Sequence, residues 1–186
     1  FNESFIPSHK KLADRIHKYD TKIFCQLTIN GGKVGKEAPS AIYNPSYPCR
    51  PRALTTDEMD QLVHDFIQAV GYAQEAGYDG VELHGGHTYF VGACMSPSTN
   101  KRTDKYGGSF EARMKFPTDV ITGVAERYPD FPVGVKFSAY EELPEGIDIP
   151  LGLEIAEYLA KLNPAYLHVS ATSTSLMIKS RDSSVP

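Results

Sequence analysis

The chain has 186 residues, of which 41% are hydrophobic, enough to bury the core of one domain of ordinary size. Lys and Arg number 19 against 23 Asp and Glu, a formal net charge of -4 with a pI near 5.9. That balance gives no electrostatic reason to expect nucleic acid or an anionic membrane as a partner. Cys25, Cys49 and Cys94 are odd in number and far apart, which suits reduced thiols better than a disulfide framework. No stretch reaches the ~20 apolar residues of a membrane span, and the cytoplasm is the expected compartment.

In chain order, Ser8 to Tyr19 carries Leu12 and Ile16 at helical spacing. The apolar run Lys22–Leu27 (KIFCQL) predicts a first strand. A long loop rich in Gly, Pro, Ser and Asn is expected from Thr28 to Leu54. Thr55 and Glu58 then stand in capping-box spacing. Met59, Leu62, Val63, Phe66, Ile67, Val70 and Ala73 continue as a helical stripe that Gly77 closes. Gly80–His84 predicts a second strand. A helix over Ser109–Tyr128 is expected to bend or restart at Pro117. Val133–Ala139 predicts a third strand, Pro150–Leu162 a helix stopped by Asn163 and Pro164, and Ala165–Ala171 a fourth strand.

Strands alternating with helices imply parallel strands joined by right-handed crossovers, in an open doubly wound sheet or a (β/α)8 barrel. Side-chain parity separates the two. Ile23, Cys25 and Leu27 oppose Phe24 and Gln26; Val81 and Leu83 oppose Glu82 and His84. Val133, Val135 and Phe137 oppose Lys136 and Ser138, and Leu167 and Val169 oppose Tyr166, His168 and Ser170. Each strand thus has one apolar face and one bearing polar groups toward its C-terminal end. Strands covered on both sides would need two apolar faces. A barrel buries one face under its helices and turns polar groups into the catalytic mouth, so the barrel is the expected fold. Gln26, His84, Lys136 and His168 would converge there.

The stretch Gly80–Phe90 (GVELHGGHTYF) admits two chemistries. His84 and His87, with Glu82 and His168, have the ligand types of a zinc hydrolase, although an inward Lys136 opposes a bound cation. As an acid–base site, two imidazoles would donate hydrogen bonds to a substrate oxygen and Tyr89 would deliver a proton. Lys136 and the Gln26 amide would suit a planar, hydrogen-bonding, electron-rich ligand.

The segment GYDGVELHGGHTYFVGACMSPSTNKRTDKYGGSFEARMKF resembles the Old Yellow Enzyme family of FMN-dependent ene-reductases, in its NADH:flavin oxidoreductase and 2,4-dienoyl-CoA reductase-like branch. Gly77, Asp79 through His84, His87, Tyr89, Ser96, Pro97, Asn100, Arg102, Asp104, Tyr106 through Ser109, Arg113 and Phe116 carry the resemblance. It implies a TIM barrel that binds FMN, uses NAD(P)H and reduces the activated C=C of a small-molecule substrate such as an enone, with no resident metal. By the same resemblance, Gln26 contacts the flavin pyrimidine edge, and Lys136 stands where the family has Arg beside flavin N1 and O2. His84 and His87 bind the substrate oxygen, and Tyr89 is the proton donor. The SPSTNKRTDKYGGS segment is implied to be scaffold, pinned by its Asp, Arg and Tyr.

The chain departs from the pattern at Ile29, Gly32 and Ala112, where the family has His, Arg and Asn. Four strands are expected, corresponding to the family's third through sixth of eight. With Phe1 at one end and SRDSSVP at the other, residues 1–186 read as a single partial FMN-binding barrel domain cut at both ends. On that reading the open strand edges favour a homo-oligomer. A non-catalytic half-barrel that self-associates or binds a partner is the competing reading, and a metal-dependent hydrolase is a third.

Overall fold

The computed structural model describes residues 1–29, 36–42 and 50–170, so Gly32, Cys49 and Ala171 lie outside the described residues. After a single 3-10 turn capped by Asn2, α1 runs over Ile6–His17 and β1 over Phe24–Leu27. The two-residue strands β2 (Glu37–Ala38) and β3 (Arg52–Ala53) follow. Then come α2 (Thr56–Glu75), β4 (Gly80–Gly85), α3 (Phe90–Met95), α4 (Phe110–Arg127), β5 (Val133–Ser138), α5 (Ile149–Lys161) and β6 (Tyr166–Ser170).

β1, β4, β5 and β6 form one parallel sheet in that order. Each new strand joins on the same side as the last, with no reversal of the kind that divides a doubly wound sheet. The four strands are an arc of a (β/α)8 barrel, as the parity predicts. Val81, Leu83 and Val135 on the outer face are fully buried, with Phe137 beside them. Over them lie α2 and α4, interlocked through Phe66 and Phe116 at a centroid distance of 5.9 Å and 84°. A Cβ on Gly123 of α4 would overlap Ile67 of α2, so that glycine sets how closely the two helices approach.

α2 begins on a complete capping box. Glu58 N donates to Thr55 Oγ1 at 3.2 Å and Thr55 N donates to Glu58 Oε2 at 2.7 Å. Beyond its C-terminus, Gly77 takes φ +82°. Asp79 then aligns β4 with β1: Ile23 N donates to its Oδ2, and Asp79 N donates to Ile23 O, both at 2.9 Å.

Three local expectations are corrected. The long loop contains the parallel ladder of β2 and β3, sealed by Arg52 N to Lys36 O at 2.7 Å and Leu54 N to Ala38 O at 3.0 Å. α4 runs unbroken through Pro117, although proline cannot donate to the Arg113 carbonyl. Its buried face, Met114, Phe116, Val120, Ile121 and Val124, is continuous across that point, and packing outweighs the lost bond. α3 occupies a stretch for which no helix is expected; all six of its residues are buried.

The segment from Ser96 to Ser109 is scaffold. Asn100 Nδ2 donates to Cys94 O at 2.6 Å and Tyr106 O at 2.8 Å. Arg102 grips Asp104 with two nitrogens, Nε at 2.9 Å and a terminal one at 2.6 Å. Its other terminal nitrogen reaches Pro39 O at 2.7 Å and Leu54 O at 2.6 Å, tying this segment to the residues that directly follow β2 and β3. Tyr106 hydroxyl donates to Asp60 of α2 at 2.5 Å.

Candidate active site

Register places the polar residues of the inner face in rows. Gln26, Glu82, Gly134 and Tyr166 form one row across the four strands. One step toward the C-terminal ends, His84, Lys136 and His168 form the next, and Ser138 pairs with Ser170 beyond it. Each row continues because parallel strands in register keep one parity on one side.

In the first row Glu82 is the hub, and only 7% of it is exposed. Gln26 Nε2 donates to Glu82 Oε1 at 2.5 Å, and His168 Nδ1 lies 2.9 Å from Oε2. Burial works to raise the Glu82 carboxyl, but hydrogen bonds from Gln26, His168 and Tyr166 outweigh it and hold the group below the usual carboxylate range. The Tyr166 hydroxyl is pushed up to about 12, by burial first and then by the Glu82 charge. β6 is not adjacent to β4. Its side chains reach across because the β5 position between them is Gly134, where a Cβ would overlap the Tyr166 ring.

Above the second row the chain leaves β4 through Gly85 and Gly86 and makes an unusual turn. His87 and Thr88 both have positive φ, +56° and +58°, a region that a β-branched residue rarely enters. Ser138 Oγ accepts from His87 N at 3.0 Å, and Ser170 Oγ lies 2.7 Å from His87 Nε2. Tyr89 is the N-cap of α3, which lies tight on the strand end: a Cβ on Gly92 would stand 2.5 Å from Gly85 O. The turn gathers three rings, His84 meeting His87 edge-on and Tyr89 at a tilt. The His84 centroid is 5.8 Å from that of His87 and 4.7 Å from that of Tyr89. His84 is buried, and His87, Tyr89 and Lys136 are half-buried.

The five residues singled out in the sequence therefore share one face or its C-terminal rim. His84, His87 and Tyr89 form one cluster, Lys136 is the register partner of His84, and Gln26 sits one row below, bonded to Glu82. Sequence reasoning gave Glu82 a role only as a metal ligand and gave Ser138, Ser170 and Tyr166 none, although all four have the inward parity. Among the described residues, no three His, Cys, Asp or Glu side chains are grouped to hold a metal ion. Among them, too, no helix is long and apolar enough to cross a membrane.

Residues 1–179 match the sequence profile of the NADH:flavin oxidoreductase / NADH oxidase family. An NADH oxidase of Thermoanaerobacter brockii is 38% identical over 179 residues, covering 91% of this chain and 28% of that protein. A putative 12-oxophytodienoate reductase-like protein 1 of Arabidopsis thaliana is 34% identical over 185 residues, covering 88% of this chain and 56% of that one. The structure of morphinone reductase in complex with tetrahydroNAD superposes with a TM-score of 0.81 at 29% identity, over 91% of this chain and 54% of that one. The chain thus spans between 28% and 56% of the length of these relatives.

Proposed function

The chain belongs to the NADH:flavin oxidoreductase / NADH oxidase family, and on that premise we propose that the full-length protein is an ene-reductase that passes hydride from NAD(P)H through FMN to the activated C=C of an enone or similar substrate. The donor set of the inner face fits a flavin ring. Gln26 commits its amide N–H to Glu82, which turns its carbonyl oxygen into an acceptor for a ring N–H. Lys136, one row above on β5, offers a cation to ring carbonyl oxygens, as a point charge where an arginine would offer a fork. FMN bound there supplies the hydride.

The chain's own contribution lies in the ring cluster at the end of β4, and its geometry is the observation that carries the reading. His84 and His87 donate hydrogen bonds to the substrate's electron-withdrawing oxygen, drawing charge away from the double bond. Tyr89, ring to ring with His84, gives its hydroxyl proton to the carbon alpha to that oxygen. The left-handed turn held by Ser138 and Ser170 keeps these three side chains on one side.

The test separates the two half-reactions in the full-length protein. Tyr89→Phe leaves reduction of the bound flavin by NAD(P)H unchanged and slows its reoxidation by an enone ~10²–10⁴-fold, the usual cost of losing a general acid. Equal losses in both halves, or a purified protein without a flavin spectrum, overturn the reading.

A further inference from the structure

We propose that Glu82 is a positioning residue that fixes which atoms Gln26 and His168 present to the ligand lying on the inner face; that this ligand is a flavin rests on the function proposed above. The carboxylate meets both partners at once, Gln26 from β1 through Oε1 and His168 from β6 through Oε2. Buried, but with two donors converging on it, the carboxylate is held ionised and can only accept.

Two assignments follow. The Gln26 amide must put its N–H toward Glu82 and its carbonyl oxygen away, so the atom it offers a ligand is an acceptor. His168 must carry its proton on Nδ1 when neutral, so Nε2 is the nitrogen it turns to the mouth. His168 is half exposed there, and its register partner is Lys136. The device depends on Gly134: any side chain at that β5 position would stand between Glu82 and β6.

Glu82→Gln preserves the shape and removes this control. An amide has one oxygen and one N–H2, so it can accept from Gln26 or from His168 but not from both. One partnership must reverse, either by a flip of Gln26 or by a tautomer switch in His168.

The experiment uses full-length protein labelled with ¹⁵N-histidine and stripped of flavin, at a pH where His168 is neutral. The wild type is expected to show the Nδ1–H tautomer at His168, and Glu82→Gln to show partial or complete conversion to Nε2–H. Rebinding of FMN then forms a double-mutant cycle. Gln26→Ala weakens FMN about tenfold, ~1.4 kcal/mol. Glu82→Gln weakens it by no more than that, and the more so the larger the share of protein in which His168 keeps Nδ1–H and Gln26 is therefore flipped. The double variant is no weaker than Gln26→Ala alone. An Nε2–H tautomer in the wild type overturns the proposal without any variant, and additive losses in the cycle overturn it as well. A locked Nδ1–H tautomer in a wild type that does not rebind FMN supports the positioning role and refutes the flavin reading.

Discussion

Arg102 is the side chain whose loss should disturb the fold most for its size. It is nearly buried, with 9% of the side chain exposed, and makes four hydrogen bonds: two to Asp104, one to Pro39 O and one to Leu54 O. Arg102→Met keeps the length and removes all four. Counting each bond to a charged group separately at ~1.5–3 kcal/mol would overstate the loss, because the bonds share one desolvation penalty. Breaking a buried pair by removing one partner costs ~3–5 kcal/mol, and that is the expected destabilisation. Arg102→Lys restores the charge without the fork and should recover roughly half of it. Urea denaturation of the full-length protein followed by circular dichroism measures both. A second arm varies pH. Asp104 is held below its ordinary value of 3.8, first by Arg102, then against burial with help from Thr56 and Tyr106 N. A carboxyl depressed in the folded state adds stability that is full above its unfolded value and is lost as pH falls through the folded one. The gap between wild type and Arg102→Met should therefore be widest near neutrality and narrow progressively in acid below about pH 4, the bonds to Pro39 O and Leu54 O persisting. An Arg102→Met protein within about 0.5 kcal/mol of wild type at pH 7 would refute the reasoning.

Gly92→Ala places a methyl group against the Gly85 carbonyl and pushes α3 off the strand end; a cost of ~1–3 kcal/mol is expected, read by denaturation, together with weaker ligand binding because Tyr89 caps the same helix. A phenol that mimics an enolate should bind the full-length protein and shift its flavin spectrum, and His84→Ala or His87→Ala should each weaken it by ~1–3 kcal/mol. Unchanged affinity in both would remove the histidines from the substrate oxygen. Thr55→Ala should cost ~1 kcal/mol in thermal or urea melts through loss of the α2 cap, and leave the flavin spectrum of the same protein unchanged.

What the sequence made legible was whatever a local rule governs. The Thr55–Glu58 box and the stripe from Met59 to Ala73 announce α2, and alternation within four short strands places Gln26, His84, Lys136 and His168 on one side. What stayed hidden depends on partners far along the chain. β2 and β3 are two residues each and exist only because residues 36–38 and 52–54 lie side by side. α3 is too short to show a period and contains a glycine, and its burial between β4 and α4 decides its conformation. Pro117 signals a break in any isolated helix, and only the packed face across it keeps α4 whole. Parity makes Glu82 an inward residue, but its reach to β6 depends on the missing side chain at Gly134 on the strand between them.

The turn at His87 and Thr88 also dictates an order of assembly. Two consecutive non-glycine residues in left-handed conformation cost ~1–3 kcal/mol each, so the turn does not hold by itself. The groups that hold it arrive late: Ser138 is 51 residues further on and Ser170 is 83. The pairing of β1 with β4 and the seating of α2 involve only residues that precede the turn in the chain, whereas the turn must wait for β5 and then β6 to dock. As the chain emerges from a ribosome, the outer hydrophobic layer can be sealed while His87 still samples other conformations. The proposed site is then the last part of this arc to become native, and the first to be lost when β6 frays.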